Sequence, residues 1–274
     1  MSDSYYELID PADPLGERFR ATDMVRSTWS SHIQHGGPVS ALLVRAMERC
    51  ERRPDTRLSR VVVDLLGGVP ADGDLWVTAT LERGGKQIEL VSAVLHGQGP
   101  DGAARPVARA SGWRFQTLDT AALVADSVPP LPPRERGLNR NLAEKFDRNY
   151  VHSTEWLWLT KPMAPGAGES WIRPIVDLVK GEAMTPMQRL FSIADCANGI
   201  GSRIDITRYT FLNTDLTVHV HRVPVGEWVG IRSETRYGPD GVATTVGTLF
   251  DDDGAVGVIQ QAVLVRPRPR PPTA

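Results

Sequence analysis

The chain has 274 residues, 41% hydrophobic and 23% charged, with a formal net charge of -2. That length suffices for a large buried core without staples, and the near-neutral balance offers no footprint for a polyanion, so nucleic-acid binding falls away. The two cysteines, Cys50 and Cys196, exclude a disulfide framework and a C-x-x-C metal site.

The opening stretch MSDSYYELIDPADPLGERF carries acidic residues and no continuous apolar core. No later segment approaches the roughly 18 apolar residues of a membrane span, so no span and a cytoplasmic location are expected. The first clear periodicity follows Pro38. Val39, Leu42, Leu43, Ala46, Met47 and Cys50 recur at the spacing of one buried helical stripe, with Pro38 where a first turn tolerates it. Strands are predicted over 75–81, 87–96 and 107–115, with VPADGDLWV at 69–77 and GPDG at 99–102 as turn chemistry. The four prolines of VPPLPPRER, 128–136, remove backbone donors and read as a linker.

Beyond the linker the pattern returns. Adding 148 to the first helix places Pro38 on Pro186, Val39 on Met187, Leu42 on Leu190, Leu43 on Phe191 and Ala46 on Ala194. The segment VPVGEWV at 223–229 resembles the turn at 69–77, strands are predicted over 228–235, 242–250 and 256–265, and GPDG recurs at 238–241. The expected division is a first repeat over 1–127, a Pro-rich linker over 128–145, a second repeat over 146–268 and a disordered or extended tail over 269–274. Each repeat is expected to be one helix followed by an antiparallel meander. A helix with one apolar stripe and a sheet with one apolar face bury both when the sheet wraps the helix, so the fold class is α+β. Two such units are expected to join their sheets edge to edge, since either alone leaves a long strand edge unpaired.

The repeat breaks its symmetry at one position. Met47 corresponds to Asp195, which lies about 80° round the helix from Met187 and flanks the core-facing stripe; Asn198 lies nearer the stripe's centre. A carboxylate there is costly to bury unless hydrogen-bonded. Asp195 is therefore either a positioned general base or an edge carboxylate paired with an arginine such as Arg189 or Arg203.

With these residues in hand, HGGPVSALLVRA at 35–46, FSIADCANG at 191–199, FLNTDLTVHVHR at 211–222 and GVIQQAVLVRPR at 257–268 resemble the thioesterase-like superfamily, and more narrowly the acyl-CoA thioesterase II type. The resemblance covers nearly the whole chain. It implies a double hotdog fold, two tandem repeats each with an antiparallel sheet wrapped around a central helix, and hydrolysis of acyl-coenzyme A thioesters with no cofactor. It further implies a hydrolytic water held by an aspartate of the second helix, a threonine opening the next strand and a glutamine in the last strand. Asp195 matches the first. Asn213 stands where the family has threonine; its amide can both donate and accept, and Thr214 is the adjacent hydroxyl that competes for the part. Gln260 and Gln261 point to opposite, equally apolar faces, so alternation leaves both open; the resemblance, which implies a glutamine five residues before Arg266, selects Gln261.

The first repeat contributes candidates for substrate binding. Gly36 and Gly37 precede a helix start, where small residues leave N–H groups open to a thioester oxygen, or merely admit the chain to the helix. His35 beside them is a second acid or base, or a local hydrogen-bonding residue. His219 and His221 share a strand face with Thr217, yet no carboxylate or thiol is spaced to complete a metal shell, so no metal is expected. Cys196 reads as structural. Acyl-CoA is the expected partner and pairing of whole chains stays open. A non-catalytic acyl-thioester binder, favoured by the Asn213 departure, and a hotdog dehydratase or hydratase are the alternatives.

Overall fold

The computed structural model describes residues 3–99, 101–139 and 149–268. The first half runs β1 (Ser4–Asp10), β2 (Glu17–Ala21), α1 (Gly36–Arg49), β3 (Thr56–Leu65), β4 (Asp74–Arg83), β5 (Ile88–Gln98) and β6 (Ala104–Gln116). The second half runs α2 (Asn149–His152), β7 (Thr154–Trp158), β8 (Gly168–Pro174), β9 (Asp177–Val179), α3 (Pro186–Ala194), α4 (Ala197–Gly201), β10 (Tyr209–Asn213), β11 (Asp215–Val220), β12 (Val229–Tyr237), β13 (Val242–Asp251) and β14 (Gly254–Pro267). None of the described helices is long and apolar enough to cross a membrane.

All six expected strands are present within a few residues of their expected ends, and the repeat shows in the topology. The sheet order is β7-β8-β12-β13-β14-β11-β3-β6-β5-β4-β2-β1-β9, with β10 also on β14. Reading outward from the central β3–β11 pair, each half thus presents matching strands in the same order. The meander expectation was too simple. A pair of strands precedes the central helix in each half, and the strand after the helix crosses to the far side of β6 or β14, where it joins the two sheets. At that junction Leu216 faces Val63 and Val218 faces Val61, all buried, so the edges close over a continuous apolar layer. β9 follows β8 after two residues and adds in parallel to β1, carrying the chain from one end of the sheet to the other. Both GPDG turns end on a glycine in the left-handed region, Gly102 at φ +79° and Gly241 at φ +85°, which explains the repeated motif.

α1 packs on β3 to β6 and also on α3, so every residue from Gly36 to Met47 is buried. Each of Val39, Leu42, Leu43 and Met47 is fully covered and contributes about 1.5–3 kcal/mol by leaving water. The one charge on this stretch, Arg45, is held by Glu17 before the helix and by Glu182 after β9, a tie between the halves.

The second helix is not the uninterrupted one expected. It stops at Ala194, turns at Asp195 and Cys196 through a tighter Cys196 N–H to Ile193 carbonyl bond, and resumes as α4. The proline segment also does more than link. Leu131 is buried with Trp171, Phe250 and Ala255, Trp171 donates to the Pro132 carbonyl, and Arg232 donates to the carbonyls of Pro129 and Pro130. Prolines lack donors but keep carbonyls, and here those carbonyls strap the segment onto the outside of the second sheet. The end of the expected linker, 140–145, and the tail 269–274 lie outside the described residues.

Candidate active site

The end of α3, the start of α1 and the strands β10 and β14 converge on Asp195, which is 5% exposed. Its Oδ1 accepts from Asn213 Nδ2 at 2.7 Å, and its Oδ2 lies 3.2 Å from His35 Nδ1. Neither arginine considered as its partner pairs with it: Arg189 donates to the Gly226 carbonyl and Arg203 to Glu234. The edge ion pair is thereby replaced by a carboxylate held through amide and imidazole groups.

A β-bulge aims Asn213. Asn213 faces Val263 and Thr217 faces Gln260, so four steps on one strand oppose three on its partner. The inward side therefore switches from Phe211 and Asn213 to Leu216, Val218 and Val220, while Thr214 is left exposed. Thr214 is engaged through its backbone, donating to the Ala262 carbonyl and accepting from Leu65 N–H, and it borders the cleft outside the carboxylate. Both amide hydrogens of Asn213 are used, on Asp195 and on the Asp215 carbonyl, and its Oδ1 accepts from Asn198 at 3.3 Å. A chain of amides from Asn198 through Asn213 thus fixes the carboxylate.

Gln261 is 1% exposed and faces inward, whereas Gln260 is exposed. Its Nε2 donates at 3.3 Å to the Asp195 carbonyl, one of the backbone acceptors freed where α3 ends. Its Oε1 is buried with no donor among the described residues. A buried acceptor without a partner is uncommon and calls for a bound group to complete it.

The paired glycines have a cause that sequence reasoning missed. A Cβ on Gly36 would lie 2.8 Å from both carboxylate oxygens of Asp195, and one on Gly37 would lie 2.2 Å from the Ser192 carbonyl oxygen. Their first task is close approach of α1 to α3. Of the two readings, open donors or a turn that admits the chain to the helix, Gly37 fits the second: its N–H donates to His35 Nδ1 at 3.1 Å, capping α1. That same Nδ1 faces Asp195, and one tautomer satisfies just one of the two contacts. With Nδ1 bare the ring caps the helix; with Nδ1 protonated it donates to the carboxylate.

Burial lowers the His35 pKa, outweighing the opposite pull of Asp195, and favours a neutral ring. The unfolded chain then binds the extra proton first as pH falls below about 6.5. Stability from this group is complete above that value and is lost on acidification towards the lower folded pKa. Thermal midpoints measured between pH 7 and pH 5 should fall, and His35→Asn, which keeps an N-cap acceptor, should flatten that fall. An unchanged slope in the variant would mean that His35 is not held neutral by the fold.

His35 stacks on Tyr150 with ring centroids 3.7 Å apart and planes 5° from parallel. Tyr150 comes from the four-residue α2 and was not singled out by sequence. Its hydroxyl donates to the Ser192 carbonyl and lies 3.3 Å from Cys196 Sγ. Burial pushes both the Tyr150 and Cys196 pKa values well up, so neither titrates near neutrality. Cys196 is thus a buried thiol, a poor nucleophile. His219 and His221 are exposed on β11 and in the turn after it, away from the site.

Two clefts adjoin here and share lining residues. One, about 240 Å³, is bordered by Asp195, Gly36, Gly67, Gly68, Asn213 and Thr214. The other, about 200 Å³, is walled by Tyr150, Trp156, Trp158 and Phe211. Trp29, His35 and Asn198 border both.

Comparison with known proteins follows this geometry. Residues 25–115 match the family described as acyl-CoA thioesterase N-terminal domain, and residues 125–265 match the acyl-CoA thioesterase C-terminal domain. No curated protein matches the chain in sequence. Among solved structures, a proposed thioesterase from Novosphingobium aromaticivorans DSM 12444 superposes with TM-score 0.73 at 17% identity, over 95% of this chain and 98% of that one. An acyl-CoA thioesterase II from Mycobacterium marinum gives TM-score 0.66 at 16% identity, over 97% of both chains. A conserved protein with a hot dog fold from Alicyclobacillus acidocaldarius gives 0.71 at 11% identity, over 92% of this chain and 94% of that one. At such identities the superpositions establish the double hotdog fold, while the matches of both halves to successive domains of one family go further: the chain belongs to the acyl-CoA thioesterases and is a thioester hydrolase.

Proposed function

We propose that the chain hydrolyses an acyl-CoA thioester by direct attack of a water for which Asp195 is the general base. The observation that carries this reading is the buried Asp195 carboxylate, fixed on Oδ1 by Asn213 and bordering a cleft, with no arginine or lysine paired to it among the described residues. The water would lie between Asp195 and the unpartnered Oε1 of Gln261. Asn213 acts through the carboxylate, since both its hydrogens are engaged, and offers the water at most a lone pair of Oδ1.

Attack on the carbonyl carbon transfers the water proton to Asp195, whose Oδ2 lies 3.2 Å from His35 Nδ1. The second amide hydrogen of Asn198 and the Gly36 N–H, which has no acceptor among the described residues, are the donors available to the developing oxyanion. Collapse breaks the C–S bond, and the thiolate takes the proton stored at Asp195, giving a carboxylic acid and free CoA. Thr214 would border the entering substrate at the cleft rim. Such a reaction suits lipid metabolism in the cytoplasm.

Thiol release from a panel of acyl-CoAs tests the reaction: free CoA should appear with every substrate turned over. Binding without release would favour a carrier, and an altered acyl chain without thiol a dehydratase. Within the site, Gln261→Ala should lower turnover at least tenfold and Gln260→Ala less than twofold, a contrast on the scale of one lost hydrogen bond to a reacting group. The reverse order would move the water to the other face of β14.

A further inference from the structure

We infer that the substrate's acyl group is compact and aromatic, lodged in the tryptophan-walled cleft, while the pantetheine arm leaves through the glycine-bordered one. This rests on the thioesterase reading and names the substrate class of the same site.

The thioester then sits where the two clefts adjoin, because Asp195 borders one and His35 and Asn198 border both. Its two arms then leave in different directions. The pantetheine arm carries amides that need polar partners, and the cleft past Gly67, Gly68 and Thr214 offers exposed backbone and a hydroxyl. The other cleft is walled by aromatic rings. Trp156 and Trp158 stack with centroids 5.5 Å apart and planes at 13°, Trp29 and Phe211 meet edge to face at 4.9 Å, and the His35–Tyr150 stack forms the floor nearest the carboxylate. Aromatic side chains gathered only for the core would close on one another; these leave about 200 Å³ open. A cavity of about 150 Å³ holds benzene, so a ring with a short spacer fits. A long saturated chain would have to run out past Met163, which is 49% exposed at the rim. A rigid ring also loses less conformational freedom on entry than a chain of equal carbon count, and gains ring–ring contacts that the chain lacks.

The test compares phenylacetyl-CoA with octanoyl-CoA, which have equal acyl carbon counts, and with palmitoyl-CoA and acetyl-CoA, on the full chain. Thiol release should give phenylacetyl-CoA a kcat/KM about tenfold above octanoyl-CoA, the scale of a ring–ring contact, and further above palmitoyl-CoA. Trp156→Ala should lower that ratio at least fivefold. Should that variant fold poorly, Trp156→Leu makes the same comparison with an apolar side chain kept in the wall, and Trp156→Phe should keep the preference. Octanoyl- or palmitoyl-CoA equal to or better than phenylacetyl-CoA, or a ratio insensitive to Trp156, overturns the assignment. Absence of thiol from every substrate would instead defeat the thioesterase reading. Calorimetric binding of the phenylacetyl and octanoyl thioesters to the wild-type chain would then still decide the acyl preference, in the same direction.

Discussion

Asp195→Asn should reduce kcat by about 10²- to 10⁴-fold while the protein stays folded and continues to bind acyl-CoA. The introduced amide keeps the shape of the carboxylate, and its oxygen can still accept the hydrogen bond that Asn213 makes to Oδ1. What it loses is the capacity to take a proton from water. The surroundings make the comparison clean, because among the described residues no arginine or lysine is paired with Asp195 and none is left stranded by the change. If the residue served only to tie α3 to β10, the variant would melt earlier and turn over at the wild-type rate per folded molecule. Thermal midpoint, binding and turnover from one preparation separate the two outcomes.

The neighbouring glycines should separate catalysis from stability. The Cβ of Gly36→Ala would press on the two oxygens at the far end of the Asp195 side chain, which can swing aside. The expected result is a folded protein whose carboxylate is misplaced by about 1 Å, with kcat/KM lowered about 10²-fold. Gly37→Ala meets the Ser192 carbonyl and carbon instead, which are backbone and cannot yield alone. There α1 and α3 must move apart, and a loss of about 3 kcal/mol in stability is expected, at the upper end for overpacking. Urea titration and steady-state kinetics on both variants check the contrast. Equal loss of stability in the two, with catalysis by Gly36→Ala intact, would remove Gly36 from the account.

Much of this arrangement was legible because it is written as local pattern. The gapless helix correspondence, the repeated GPDG turns and the Met47 to Asp195 exchange each follow from side-chain period or turn chemistry. β1 and β2 pair locally with each other but were missed, since their outer edges are closed only by strands further along the chain, β9 and β4. Asn213 and Thr214 could not be separated by alternation alone. Counting back from Leu216, Val218 and Val220 would turn Thr214 inward, and only the bulge against β14 reverses the parity. Tyr150 sits on one turn of helix with no periodicity to announce it, and Trp29, Trp156 and Trp158 come together only through tertiary packing. The glycines were left between open donors and a simple entry turn because their real constraint, the approach of a second helix, belongs to a segment more than a hundred residues away.

The central claim is that water attacks the thioester directly with Asp195 as its base. The most direct measurement is a single turnover in heavy-oxygen water, with enzyme in excess over acyl-CoA, followed by mass analysis of both the acid product and the peptide containing Asp195. Direct attack predicts that the first product molecule carries heavy oxygen and that Asp195 stays light. A light first product with heavy oxygen in the Asp195 carboxylate would contradict the account, because it would make Asp195 the nucleophile of a mixed anhydride that water opens afterwards.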